Sequence, residues 1–174
     1  MKRLIFCFIA LAFAGTLSVM AQTLQQQSTA LKKPADCGVT DYDAFKNSSF
    51  TLKDDVAKTD KNYEQLSADI AKYASSERPV TVENVKGDIN KVKDVKTSLK
   101  TFDEKVVSLT ETGKTLSSNV TSVKPVTKIK PATTNTKDSV KAVDLSRDIL
   151  KSLASKVDVD LETLNGLLAK VGGQ

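Results

Sequence analysis

The chain has 174 residues, of which 27% are charged, and 26 Lys and Arg against 21 Asp and Glu give a formal net charge of +5. It contains no histidine, no tryptophan and only two cysteines. Without histidine it lacks the most common general base and metal ligand, and two cysteines are too few for a disulfide framework. The length is that of a single domain.

The first predicted element is a secretory signal peptide over residues 1–21. Lys2 and Arg3 form a basic start, and an apolar run then extends from Leu4 to about Leu17. This run is shorter than the roughly 20 residues of a membrane-spanning helix, which disfavours an uncleaved anchor. We therefore expect an exported protein, periplasmic or secreted. Cleavage would lower the net charge to +3, which is too weak to favour nucleic acid as a partner.

Residues 22–38 are predicted to form a flexible leader, because the sequence QTLQQQSTALKKP is mostly polar. Cys37 would be the single cysteine left after cleavage. Such a thiol is either tolerated, buried or paired with a second chain, and the odd count makes Cys37 a candidate for an intermolecular disulfide.

Three long helices are predicted in the remainder of the chain, at approximately residues 40–76, 80–123 and 137–171. Prolines at positions 34, 79, 125 and 131 separate these segments, and proline is disfavoured inside a helix. Between the prolines, apolar residues recur in alternating steps of three and four, which is typical of coiled-coil packing. In the middle segment this stripe includes Val82, Val85, Ile89, Val92, Val95, Leu99, Phe102, Val106, Leu109, Gly113 and Leu116.

The connections between these helices suggest the topology. The sequence SSERPV is a short link that makes the first two helices antiparallel, and residues 124–137 form a longer turn before the third. The sequence NSSF at residues 47–50 suggests a break, with Ser48 or Ser49 capping a new helix start. Each helix has one apolar stripe and needs a partner to be stable. The sequence therefore predicts an all-α fold, an elongated antiparallel three-helix bundle or coiled coil spanning residues 39–174.

No catalytic, cofactor-binding or metal-binding residue is predicted. The GKT sequence at residues 113–115 matches the end of a P-loop, but Ser108 replaces the required first glycine and no strand precedes it. Gly113 lies instead on the apolar stripe, where it is either a small residue that lets helices approach closely or a local weak point that costs about 1 kcal/mol relative to alanine. Two acid-rich segments, starting at Asp60 and Asp158, lack the glycine and the closing glutamate of a calcium-binding loop. We expect no enzyme activity, and no small-molecule substrate is evident.

The strong patterns all concern helix packing, which favours a structural or protein-binding module of the cell envelope or exterior, with a protein partner or self-association. One alternative is binding to lipid or a membrane surface, in the manner of exchangeable apolipoproteins or helical toxins. Lys124, Lys128 and Lys130 are then the candidate contacts to an anionic surface. A further alternative is a periplasmic holdase chaperone, although such proteins usually trimerise through a non-helical body.

Overall fold

The apolar stripes of the sequence form the inner faces of long helices in the computed structural model, which describes residues 23–172. Four α-helices follow one another in this range: residues 23–30 (α1), Thr40–Ala71 (α2), Val82–Asn119 (α3) and Ile129–Gly172 (α4). No β-strand occurs between residues 23 and 172, so the predicted all-α bundle is confirmed. The predicted signal peptide lies outside the described residues.

The three long helices run up, down and up, as predicted. Tyr42 near the start of α2 donates a hydrogen bond to the carbonyl of Leu116 near the end of α3, so these two helices are antiparallel. Asn135 near the start of α4 donates to Asp43 near the start of α2, so α2 and α4 are parallel. Helix α4 packs extensively against both of its neighbours, whereas α2 and α3 contact each other less extensively. The buried core lies along α4 for this reason.

Residues 23–38, which we call the strap, are packed against α2, whereas the sequence analysis predicted a flexible leader there. The strap contains α1 and runs antiparallel to α2, from Gln25 beside Asp60 to Asp36 beside Lys46. Its polar residues find partners in charged residues of α2 that are themselves buried. These contacts hold the strap in place, although its polar composition predicts flexibility.

The predicted break at residues 47–50 is wrong, because α2 continues through them without interruption. Phe45 and Phe50 are both buried on either side of the two serines, and Ser49 is buried between them. Packing of this kind outweighs the modest helix propensity of serine. The two serines therefore do not end the helix, although their residue type predicted a break.

Helix α4 begins at Ile129, eight residues before its predicted start, and Pro131 lies in its first turn. Proline is tolerated there because the first amides of a helix have no intrahelical acceptor. Ala132 and Asn135 are both buried, so this turn is part of the core. Two 3₁₀ helices, Val120–Ser122 and Val126–Lys128, make the connection from α3 to α4.

Candidate functional site

Two grooves flank α3 in the half of the bundle that contains the start of α2 and of α4. The first, the α2–α3 groove, has a volume of about 420 Å³. Its apolar lining comes from buried Leu52 and half-buried Leu109. Polar side chains complete the lining: Asn47, Ser48, Thr51, Asp55, Lys105 and Ser108.

The second, the α3–α4 groove, lies on the other side of α3 and has a volume of about 450 Å³. Leu109 lines this groove as well, so the two grooves adjoin at that residue. The remaining lining residues are mostly small or aliphatic: Thr110, Gly113, Lys114, Ser117, Ser118, Val140, Val143 and Asp144. Short side chains along α3 leave the space that both grooves occupy.

Gly113 sets the separation of α3 from both neighbouring helices. A β-carbon at this position would lie 3.0 Å from Phe45 Cζ and 3.1 Å from Val140 Cγ2. These distances agree with the prediction that Gly113 lets helices approach closely. The GKT sequence lies inside α3, where the backbone amides donate along the helix and cannot wrap a phosphate.

Each groove carries charged residues of both signs on opposite walls. In the α2–α3 groove, Asp55 belongs to α2 and Lys105 to α3. In the α3–α4 groove, Lys114 belongs to α3 and Asp144 to α4. A lysine thus lines each groove from α3 and a carboxylate faces it from the neighbouring helix. The grooves therefore combine an apolar lining with a mixed-charge rim.

Asp43 holds the turn before α2 and the start of α4 together. It accepts hydrogen bonds from the amides of Cys37 at 2.8 Å and Gly38 at 2.9 Å, and from Asn135 Nδ2 at 2.9 Å. Burial acts to raise the pKa of Asp43, but these amide bonds and the Lys46 charge outweigh burial, so the pKa lies below its usual value. The carboxylate is therefore a fixed part of this end of the bundle.

Asp88 has the same function at the opposite end, where α2 turns into α3. Its Oδ2 accepts from Arg78 Nη1 at 2.5 Å and from the Tyr73 hydroxyl at 2.9 Å, and its Oδ1 lies 3.2 Å from Lys91 Nζ. Although burial acts to raise the pKa of Asp88, these three donors lower it overall. Burial, together with the Asp88 hydrogen bond and charge, raises the pKa of Tyr73 to about 12.

Two polar pairs connect α2 to α4 in the middle of the bundle. The Tyr63 hydroxyl donates to Asp160 Oδ2 at 2.7 Å, and Lys156 Nζ lies 3.5 Å from Asp60 Oδ1. Burial raises the pKa of Asp160 despite the opposing effects of Tyr63 and Lys156. Burial also raises the pKa of Tyr63, and its hydrogen bond to Asp160 adds to that increase. Both pairs link helices to each other.

The structure places Cys37 at the end of the strap, where its side chain is buried. The thiol lies 3.9 Å from the carbonyl oxygen of Val39, and burial raises its pKa. No disulfide forms within residues 23–172. An intermolecular disulfide at Cys37 remains a prediction, and it requires this buried thiol to become accessible.

Lys124, Lys128 and Lys130 lie at the end of the bundle where α3 connects to α4. Lys124 and Lys130 are exposed, whereas Lys128 is half-buried. The turn at Gly38 adjoins Lys128, because a β-carbon on Gly38 would lie 2.8 Å from Lys128 Nζ. Val126 lies between these lysines with 74% of its surface exposed. Their role as contacts to an anionic surface remains a prediction.

The polar residues that line the grooves are not evident from the sequence. Their positions depend on the separation of neighbouring helices, which a single sequence does not give. One signal was present, namely the run of short side chains beside the apolar stripe in the second half of α3: Ser108, Thr110, Gly113, Ser117 and Ser118. Such a run indicates that a helix leaves space against its neighbours.

Within residues 23–172, no three His, Cys, Asp or Glu side chains come together in a way that could hold a metal ion. None of the helices in that range combines the length and apolar character needed to cross a bilayer. No protein-family model matches this chain, and no curated protein and no solved structure is significantly similar to it.

Proposed function

We propose that this protein is an exported, non-enzymatic helical module that binds a partner protein through the grooves flanking α3. The observation that supports the proposal most strongly is that two grooves, of about 420 and 450 Å³, adjoin at Leu109. Together they place two partly apolar depressions on either side of one helix. Amphipathic helices bind proteins by laying an apolar face into a depression of this kind.

The lining of the grooves defines the chemistry of the partner. Half-buried Leu109 and Val140 offer aliphatic contacts, which favour small aliphatic side chains on the partner. Lys105 and Asp144 lie at the rims of the two grooves, and charges at a rim contribute more to specificity and association rate than to affinity. We therefore expect an amphipathic helix that carries charges of both signs beside a narrow apolar ridge.

Site-specific photo-crosslinking tests this proposal. A photoreactive amino acid at Ser108, which lines the α2–α3 groove, should crosslink one defined protein from an envelope extract. The matched control places it at Lys100, an exposed α3 residue outside both grooves, and should give no such product. Equal crosslinking from both positions would contradict docking in the groove.

Contact with an anionic membrane surface is the second candidate function. Residues 112–137 contain five lysines and no acidic residue, and exposed Val126 lies between Lys124 and Lys128. Each lysine near an anionic surface contributes about 1 kcal/mol. Vesicles of phosphatidylglycerol should therefore retain the protein, and the Lys124→Gln/Lys130→Gln variant should bind roughly tenfold or more weakly at low salt. Equal retention of both proteins would exclude this function for the lysines.

A further inference from the structure

The strap covers a row of three charged residues on α2. Lys46 is 1% exposed, Lys53 is 6% exposed and Asp60 is 1% exposed. They are spaced seven residues apart, and seven residues are close to two full helical turns, so all three lie on one face of α2. Charged residues are rarely this buried unless they are paired, and here the strap supplies most of the partners.

Lys53 caps the C-terminal end of α1. Its ammonium group donates to the carbonyl oxygen of Ser28 at 2.9 Å and of Leu31 at 3.2 Å. The last carbonyls of a helix have no intrahelical donor, and a cation there also interacts favourably with the helix dipole. The end of α1 is therefore defined by a side chain of α2.

The other two charges of the row are met by side chains of the strap. Gln25 Nε2 donates to Asp60 Oδ2 at 2.8 Å, and Lys46 forms an ion pair with Asp36. Asp60 is also near Lys156 of α4, and Lys46 lies 3.7 Å from Asp43. The strap is thus held to α2 by polar contacts at these three points, and the Cys37 and Gly38 amides add a further one through Asp43.

The strap contributes few apolar contacts to the core. Leu24 packs half-buried against the main core, Leu31 is half-buried, and Cys37 is buried at the end of the bundle. When the strap leaves, Lys46 and Lys53 regain hydration, which offsets much of the lost pairing. The eight described residues of α1 are too few to remain helical alone, so leaving α2 and unfolding are expected to occur together.

We propose that the strap is a latch that opens as one unit while α2, α3 and α4 remain folded, and that its opening uncovers the charged row of α2 together with the thiol of Cys37. Opening breaks the bonds from the Cys37 and Gly38 amides to Asp43. The polar contacts of the latch are separate from the grooves flanking α3, because Asp43, Lys46, Lys53 and Asp60 do not line them.

Alkylation of Cys37 by iodoacetamide measures the opening directly. The experiment uses the full chain with Cys7→Ser, so that Cys37 is the single thiol. The latch predicts alkylation in native buffer at a rate far above the rate that global unfolding allows. Leu24→Ala removes the apolar anchor farthest from Cys37 in the strap and should accelerate alkylation about tenfold. Leu153→Ala, in the core of α4, should lower the stability of the bundle but leave the alkylation rate unchanged.

Two results would overturn the latch. If Leu24→Ala leaves the rate unchanged, Cys37 is exposed by local fraying and the strap does not move as a unit. If Leu153→Ala accelerates alkylation in proportion to its loss of stability, exposure requires global unfolding. Hydrogen exchange of the unsubstituted chain provides an independent measurement. The amides of residues 24–31 should exchange together and faster than those of α2, and equal protection of both segments would also contradict the latch.

Discussion

Gly113 of α3 lies directly against the ring of Phe45 of α2, with space for no further carbon atom between them. A β-carbon on Gly113 would be 3.0 Å from Phe45 Cζ, closer than an ordinary van der Waals contact. Phe45 is itself buried and cannot easily move away. This contact fixes how closely α3 approaches α2 beside the two grooves.

Gly113→Ala should therefore destabilise the protein, although alanine is the better helix former. The propensity gain is about 1 kcal/mol, but overpacking a core costs about 1–3 kcal/mol, so we expect a net loss of roughly 1 kcal/mol. Gly87→Ala is the matched control in the same helix, because nothing lies within 4 Å of its added β-carbon. Gly87→Ala should raise the free energy of unfolding, measured by urea denaturation. An equal increase in both variants would refute the proposed close contact at Gly113.

Ser49→Ala should stabilise the bundle by about 1 kcal/mol. The Ser49 hydroxyl is buried and has no hydrogen-bond partner within the described residues. Burying a hydroxyl without a partner costs free energy, so removing it should stabilise the folded state. Ser139→Ala serves as control, since this equally buried hydroxyl donates to the carbonyl of Asn135 at 2.5 Å. Thermal unfolding should show a higher Tm for Ser49→Ala than for Ser139→Ala, and the reverse order would contradict this account.

Asp88→Asn should lower the free energy of unfolding by about 2 kcal/mol at pH 7, because three donors would lose their charged acceptor. The pKa of Asp88 is lowered in the fold, so its contribution is present above the usual value of 3.8 and is lost as pH falls below it. Urea unfolding at several pH values should show the two proteins converging in acid. A constant difference down to pH 2 would show that the carboxylate charge is not responsible.

Asp160→Asn should have the opposite pH dependence. Burial raises the pKa of Asp160, so the native protein loses stability from this group as pH rises from 3.8 through the raised pKa. Asparagine keeps an oxygen that accepts from the Tyr63 hydroxyl and carries no charge to desolvate. We expect the free energy of unfolding at pH 7 to be unchanged or higher by up to about 1 kcal/mol. A loss well above 1 kcal/mol would mean that the carboxylate charge stabilises the α2–α4 contact.

The long helices could be predicted because their buried residues follow the sequence period closely. On α3, Val85, Val92, Leu99, Val106 and Gly113 recur every seven residues, and each is buried. Such a period has one structural solution, in which a helix packs its stripe against other helices. The fold class follows from that pattern, and the topology follows from the connections between the helices.

The ordered conformation of the strap could not be predicted, because it depends on charged residues of α2. In the sequence these residues look like part of a solvent-exposed helix face. Lys46 and Lys53 are lysines beside the apolar stripe of α2, and nothing in the sequence shows that they are buried. Their burial depends on carbonyl and carboxylate groups of the strap, which has no apolar period of its own. Contacts between two polar segments leave no periodic signal.

The grooves could not be predicted for a different reason. They exist because short residues such as Ser108 and Ser117 leave space between the helices, while Gly113 holds α3 close to both of its neighbours. The sequence identified Gly113 as a point of close approach and Leu109 as part of the stripe. The sequence did not show that α2 and α4 leave both sides of α3 partly uncovered beside Leu109.

Titration calorimetry with the purified crosslinked partner is the most direct test of docking at α3. It compares the partner's affinity for two single variants with its affinity for the unsubstituted protein. Leu109→Glu places a charge where the two grooves adjoin and should weaken binding at least about 30-fold, in line with loss of a central apolar contact. Val107→Glu, on the same helix but 59% exposed and outside both grooves, should bind as the unsubstituted protein does.

Ser108→Trp provides the fold control, because it fills the α2–α3 groove without removing a core side chain. It should also lose binding while keeping its helical circular dichroism. If Leu109→Glu and Ser108→Trp both bind with unchanged affinity, the grooves flanking α3 are not the docking site and the proposed function is wrong.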